Sequence, residues 1–236
     1  MLQERDNIAQ VVVSAGQMIK GFVCLVLILF PACGLQGTDT YSEYWQKFFW
    51  NMWEDEAFAL GTYIKIDTGN HFKKIRSFQL NEQFLWKASK HFFLECHYAY
   101  LHGRSIVPHS PWRWQYRIEL EANPIFHLRC NYRIQTRNRL EIRRVQTEPK
   151  ILYRLRQRTM LIIPFENHNI LKSYSLYNEL FYNVSTHLFT QNRTCPCQLT
   201  FALTDKIALD TFFLIRVFLT DNIWQKSAVF GTQINF

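Results

Sequence analysis

From Trp112 to Glu121 apolar and polar residues alternate without a break. Trp112, Trp114, Tyr116, Ile118 and Leu120 share one parity; Arg113, Gln115, Arg117, Glu119 and Glu121 share the other. Successive side chains of a strand point to opposite faces, so the segment predicts a strand with one apolar and one polar side. Residues 126–145 repeat the pattern. Leu128, Cys130, Tyr132, Ile134, Thr136, Leu140 and Ile142 oppose Arg129, Asn131, Arg133, Gln135, Arg137, Arg139, Glu141 and Arg143. In 150–163, Arg154, Arg156 and Arg158 oppose Tyr153, Leu155, Leu161 and Ile163. In 206–219, Leu209, Thr211, Phe213, Ile215, Val217 and Leu219 make an apolar row. The last segment alternates as well, with Ala228, Phe230, Thr232, Ile234 and Phe236 on one parity.

This rhythm predicts ten strands, at 57–67, 72–85, 91–101, 112–121, 126–145, 150–163, 171–185, 191–203, 206–219 and 226–236. The turn signals DTGN, EANP, TEPK, PFENHN and TDK separate most of them. Globular strands average about 5–6 residues. Strands twice that length, joined by short turns, fit an all-β, antiparallel up-and-down transmembrane β-barrel of about 10–12 strands. Bacterial single-chain barrels have even strand numbers, so the count is expected to be ten, with both ends on one side. EANP, PFENHN and TDK then share one rim; HGRSIVPHS, QTEPK and TDNIWQ share the other. If Tyr44–Trp53 is also a strand, the same rule asks for a further partner and a total of twelve.

The N-terminal region has a different pattern. Gly21–Gly34 is an apolar run preceded by Lys20 and ending in small residues. Its apolar centre, Phe22–Phe30, is too short for a spanning helix and has the layout of a secretory signal, with cleavage after Gly34. Met18 would make a tidier start than Met1. Cys33 raises lipidation, but Phe30 and Pro31 stand where small aliphatic residues are preferred. The expected organisation is a signal peptide at 1–34, an N-terminal segment at 35–56 that offers a first strand, and a β-barrel at 57–236. Phe230, Thr232, Ile234 and the terminal Phe236 resemble the assembly signal by which outer-membrane barrels are recognised.

Composition agrees with this architecture. A hydrophobic fraction of 48% with 19% charged residues excludes a disordered chain. A mean hydropathy of −0.17 excludes a polytopic helical membrane protein but not a barrel, whose strands are only half apolar. Aromatics reach 16% and the formal charge is +8. Eleven arginines lie between Arg113 and Arg158, nearly all on the polar side of their strands. An arginine facing lipid at mid-bilayer would cost roughly 2–4 kcal/mol, so in a membrane barrel these rows must face the lumen. The expected lumen set is Arg113, Arg117, Glu119, Arg129, Arg133, Arg137, Arg139, Glu141, Arg143, Arg154, Arg156, Arg158 and Glu179. Trp112, Trp114, Tyr116 and Phe213 are the expected lipid-facing or girdle residues. With Glu119, Glu121, Glu141 and Glu179 as partners, the arginines form an interior ion-pair ladder on one reading. On the other they line a lumen that attracts small anionic solutes.

No phosphate loop, nucleophile elbow or zinc-protease motif occurs. The eight histidines and the Cys195-Pro-Cys197 pair lack metal-ligand spacing, so neither metal nor cofactor is expected. In an oxidising compartment, Cys96 and Cys130 could bridge only if their strands approach, and a Cys195–Cys197 bond would be strained. Rings and arginines on opposite faces argue against a nucleic-acid surface, since base stacking and phosphate contact need one shared face.

The half of the chain from Trp112 onward resembles a bacterial family of uncharacterised outer-membrane β-barrel proteins. The resemblance rests on RNRLEIR (Arg137–Arg143), on YRLRQRTMLIIP (Tyr153–Pro164), and on YNELFYN (Tyr177–Asn183) followed by QNR (Gln191–Arg193). Cys195-Pro-Cys197 departs from the pattern, where a Gly-rich strand is expected. The resemblance implies a barrel in the outer membrane, with lipid and the barrel-assembly machinery as partners, and no assigned activity. The expected role is structural or that of a narrow channel. The alternatives are a secreted lipocalin-like barrel with an apolar interior and a lipid-acting barrel enzyme. Lipocalin-like packing would place Trp114, Leu128 and Phe213 inside.

Overall fold

The computed structural model describes residues 40–69, 74–104, 111–165, 170–220 and 222–236. The expected export signal at 1–34 lies outside them. So do parts of the DTGN, HGRSIVPHS and PFENHN turns.

The described residues form one closed barrel of eleven strands. In chain order these are β1 (Thr40–Glu54), β2 (Phe58–Gly69), β3 (Lys74–Ser89), β4 (Phe92–Gly103), β5 (Arg113–His127), β6 (Arg133–Val145), β7 (Leu152–Pro164), β8 (Leu171–Asn183), β9 (Leu188–Ala202), β10 (Ala208–Thr220) and β11 (Ile223–Asn235). Each pairs antiparallel with its sequence neighbour, the up-and-down order that the alternation predicts.

The expected even count is not found. Tyr44–Trp53 is indeed strand, within β1, yet no twelfth strand accompanies it among the described residues. β1 instead pairs β11 in parallel, from Thr40↔Lys226 to Phe49↔Asn235. A parallel ladder joins the two edges as an antiparallel one would, so closure does not require an even number. Phe236 extends this seam. Its N–H donates to the Phe49 carbonyl, Asn51 N–H donates to its carbonyl, and its ring stacks on Trp50 at 5.5 Å. With the first and last strands parallel, the expected placement of both barrel ends on one side is also overturned.

A second correction concerns residues 121–132. Glu121–Pro124 is not a turn but part of β5, whose register with β6 is the same on either side of Pro124. The chain reverses later, through a single 3-10 turn at Arg129–Asn131 in which Cys130 and Asn131 have φ near 60°. Residues 126–145 are therefore the end of one strand, a tight turn and a second strand. The alternation of Leu128, Cys130 and Tyr132 passes through that turn rather than along a strand.

The two faces of the wall differ sharply. Ile118, Leu120, Tyr153, Leu155, Phe84 and Phe230 point outward and are exposed. Glu43, Glu119, Glu141, Asn81, Asn123 and Ser227 point inward and are fully buried. Outward aromatic rings gather toward both rims. Trp50, Phe58, Phe84, Trp86 and Phe236 lie toward the rim that carries the β1–β2 turn. Tyr98, Tyr100, Trp114, Tyr116 and Tyr153 lie toward the other. Between them the outward row is mostly aliphatic.

The interior is not uniformly polar. Trp45, Cys195, Leu214 and Val229 form a small buried cluster with Tyr177 and Phe212. Gly231 of β11 belongs to this region, because the Phe212 ring lies where a Cβ would stand. Overpacking of a filled interior costs about 1–3 kcal/mol. Gly231→Val is expected to lower the unfolding free energy by about that amount, with partial recovery when Phe212→Leu is added. Urea titration of the three proteins measures it; an unchanged midpoint would show that the ring moves aside freely.

Candidate functional site

The barrel encloses a lumen of about 820 Å³. Its wall is richest in charge where β5, β6, β7 and β8 face inward. Strand parity alone brings these groups together, since every second residue of each strand points into the barrel. The register then sets like against like. Arg117 stands directly opposite Arg143, and Glu119 opposite Glu141. Arg139 stands opposite Arg156, and Arg137 opposite Arg158. Like charges directly opposite across a ladder are unfavourable unless a counter-charge reaches between them.

Carboxylates supply most of those counter-charges. Glu141 binds Arg154 Nη2 and Arg156 Nη1, each at 2.5 Å. Glu179 Oε1 accepts from Arg137 Nη2 at 2.5 Å and from Arg156 Nη2 at 2.8 Å. Glu119 Oε2 lies 2.5 Å from Arg139 Nη1, and Arg139 Nη2 also contacts Glu121. Across the barrel, Glu43 of β1 joins Arg76 of β3 at 2.9 Å, Arg216 of β10 at 3.0 Å and the Trp45 indole N–H at 3.0 Å. Buried ions are tolerated only when paired, and Glu43, Glu141 and Glu179 are each shared by two guanidiniums. Aromatic faces hold further cations. Phe181 lies within 5.1 Å of the Arg154, Arg156 and Arg193 guanidiniums, and Lys65 sits 3.8 Å from the Trp45 ring centroid.

The structure places the expected lumen residues as follows. Arg113, Arg117, Glu119, Arg137, Arg139, Arg143, Arg154, Arg156, Arg158 and Glu179 line the lumen. Glu141 is buried in the wall beneath it. Arg129 and Arg133 do not line it. Arg129 lies exposed in the turn between β5 and β6, and Arg133 is exposed at the first position of β6, past the rim. Of the outward set, Trp112 and Tyr116 are exposed, and Phe213 packs its ring on Phe230 at 5.0 Å. Trp114 packs on Tyr116 at 5.2 Å and also borders the lumen at the rim. Phe230 and Phe236 are exposed, while Thr232 joins Tyr44 and Gln46 in a small hydrogen-bonded patch across the β1–β11 seam.

Several interior residues were not expected. Glu43, Trp45 and Lys47 come from β1, which the sequence offers as a first strand without assigning its faces. Their alternation with Tyr44, Gln46 and Phe48 is legible, but both parities contain an aromatic and a polar residue, so neither face stands out. Glu95, His97 and Glu121 approach one another from β4 and β5, with one potential ligand atom from each lying within 4.8 Å of the others. His97 Nε2 is 2.8 Å from Glu95 Oε2, and its Nδ1 is 3.0 Å from Asn81 Oδ1. Gln83 and Asn123 also donate to Glu95. Ser77, a buried serine of β3, donates to Asp67 Oδ2 at 2.7 Å.

All four described cysteines are free. Around Cys195-Pro-Cys197 the pairing of β9 slips against both neighbours, between Ser175 and Tyr177 on β8 and between Phe213 and Ile215 on β10. This bulge turns Cys195 inward and Cys197 outward. The strand that departs from the expected pattern therefore pairs along its length, but with one residue accommodated as a bulge.

No curated protein and no solved structure matches the chain. Residues 42–226, from β1 into β11, match the family described as Protein of unknown function (DUF2490). That span takes in most of the barrel, and the chain belongs to this family.

Proposed function

We propose that the chain is an integral β-barrel of a bacterial outer membrane, whose narrow arginine-rich lumen passes small anionic solutes. The observation that carries this reading is the sidedness of the wall. A barrel in water keeps its apolar rows inside. Here Ile118, Leu120, Leu155 and Phe230 face outward and the ionic network faces inward. A lipocalin-like interior would need Trp114 and Phe213 inside, and their row is the outward one. Strands of 12–16 residues exceed the roughly 9–11 that a tilted strand needs to cross a bilayer. Aromatic rings toward both rims match the girdles of membrane barrels. Basic side chains outnumber acidic ones in the lumen lining, so the field inside favours anions.

Reversal potentials of the refolded full-length protein in planar bilayers, under a potassium chloride gradient, test the transport part. Anion selectivity is expected, reduced in Arg158→Gln, because Arg158 lines the lumen without a carboxylate within 4.0 Å among the described residues. Absence of conductance, or selectivity for potassium, would contradict it.

A further inference from the structure

Three like-charged arginine pairs of β5, β6 and β7 face the lumen with different counter-charges. Arg139 and Arg156 are both held by carboxylates. In the Arg137–Arg158 pair, Glu179 holds Arg137. The Arg117–Arg143 pair is different. Both guanidiniums turn to one neutral acceptor, Gln115 Oε1, at 3.3 Å from Arg117 Nη2 and 3.4 Å from Arg143 Nη2. Arg143 has no carboxylate within 4.0 Å among the described residues. The nearest to Arg117 is Glu119 Oε1, 3.8 Å from Nη1, and Glu119 is already held by Arg139. Three buried donors in this cluster lack hydrogen-bond partners: Arg117 Nε, Arg143 Nε and Gln115 Nε2. All three residues line the lumen, and Arg113 lies two residues toward the mouth on the same inward row as Gln115.

We propose that Arg117, Arg143 and Gln115 form a binding site for a small oxyanion of the phosphate or sulfate type. Two cations opposed across a ladder with only an amide oxygen between them leave one counter-charge unfilled. Guanidinium forks match tetrahedral oxyanions through paired N–H donors, and the Gln115 amide adds another. The site lies inside the wall, so its ligand is a free solute rather than a lipid headgroup on the outer face. This inference deepens the anion-passing reading by placing one discrete station for the solute in the lumen, and it rests on that reading for access from solution.

Calorimetric titration of the refolded full-length protein with inorganic phosphate, in a phosphate-free non-ionic detergent at constant ionic strength, tests it. Saturable one-site binding is expected. Arg143→Gln should weaken it at least tenfold, and Arg129→Gln, a loss of the same charge in an exposed turn, should change it less than twofold. Arg143→Glu supplies the missing counter-charge from within. It should raise the thermal midpoint without ligand and abolish the response to phosphate, which keeps the test decisive if Arg143→Gln fails to fold. A wild type that does not saturate, or Arg129→Gln and Arg143→Gln losing affinity equally, overturns the site. Anion selectivity in bilayers without saturable phosphate binding would sink the site and leave the channel reading standing. Binding without conductance would do the reverse.

Discussion

Glu141→Gln is expected to lower the unfolding free energy by about 3–5 kcal/mol, the cost of removing one partner from a buried ion pair. Glu141 is fully buried and binds Arg154 and Arg156, each at 2.5 Å, with Arg139 3.8 Å away. The amide keeps the shape but removes the charge, so two guanidiniums lose their shared anion. Arg156 retains Glu179, whereas among the described residues Arg154 keeps no other carboxylate within 4.0 Å and rests on the Phe181 ring. The double variant Glu141→Gln with Arg154→Gln should therefore recover part of the loss. Urea unfolding in liposomes measures both. A single-variant loss below about 1 kcal/mol would mean that water already screens the network, as it does exposed pairs.

Leu120→Arg carries the second large effect. Leu120 sits mid-strand on the outward face, opposite Cys96 and Leu140, and is 44% exposed. In water, an exposed leucine far from any specific contact can be replaced at a cost within about 0.5 kcal/mol. In lipid, arginine near the midplane costs roughly 2–4 kcal/mol. The expected result is the larger value for protein refolded into bilayers. The converse substitution sharpens it. Glu82 of β3 points outward between Leu80 and Phe84, with its carboxylate accepting from Thr62 Oγ1 at 3.1 Å. Glu82→Leu should stabilise the protein in bilayers by about 1 kcal/mol, since carboxylates on the lipid face cost less than arginines do.

Most of the barrel is legible in the chain because a two-residue period is local information. Rows such as Trp114, Tyr116, Ile118 and Leu120 name their own face without reference to any other strand. The carboxylates Glu119, Glu121, Glu141 and Glu179 are legible as arginine partners for the same reason: they share parity with the arginines. Four features were not legible. β1 mixes Glu43, Trp45, Lys47 and Phe49 on its inward face, because it lines the part of the interior where apolar and ionic regions meet. Closure by a parallel β1–β11 seam is a property of the whole sheet, and no local pattern encodes it. The turn at Arg129–Asn131 hides in unbroken alternation, since left-handed backbone at Cys130 and Asn131 leaves the polar–apolar order unchanged. The cluster of Glu95, His97 and Glu121 was missed because it depends on the register of β4 against β5, which spacing within one strand does not reveal.

A barrel of this sidedness requires that its outward apolar face meets lipid. Electrophoretic mobility in SDS of the protein extracted from purified outer membranes, with and without boiling, tests it most directly. Recovery in that fraction and a heat-dependent shift are expected, because a closed barrel in lipid resists SDS until it is heated. A soluble periplasmic protein with one mobility under both conditions would contradict it.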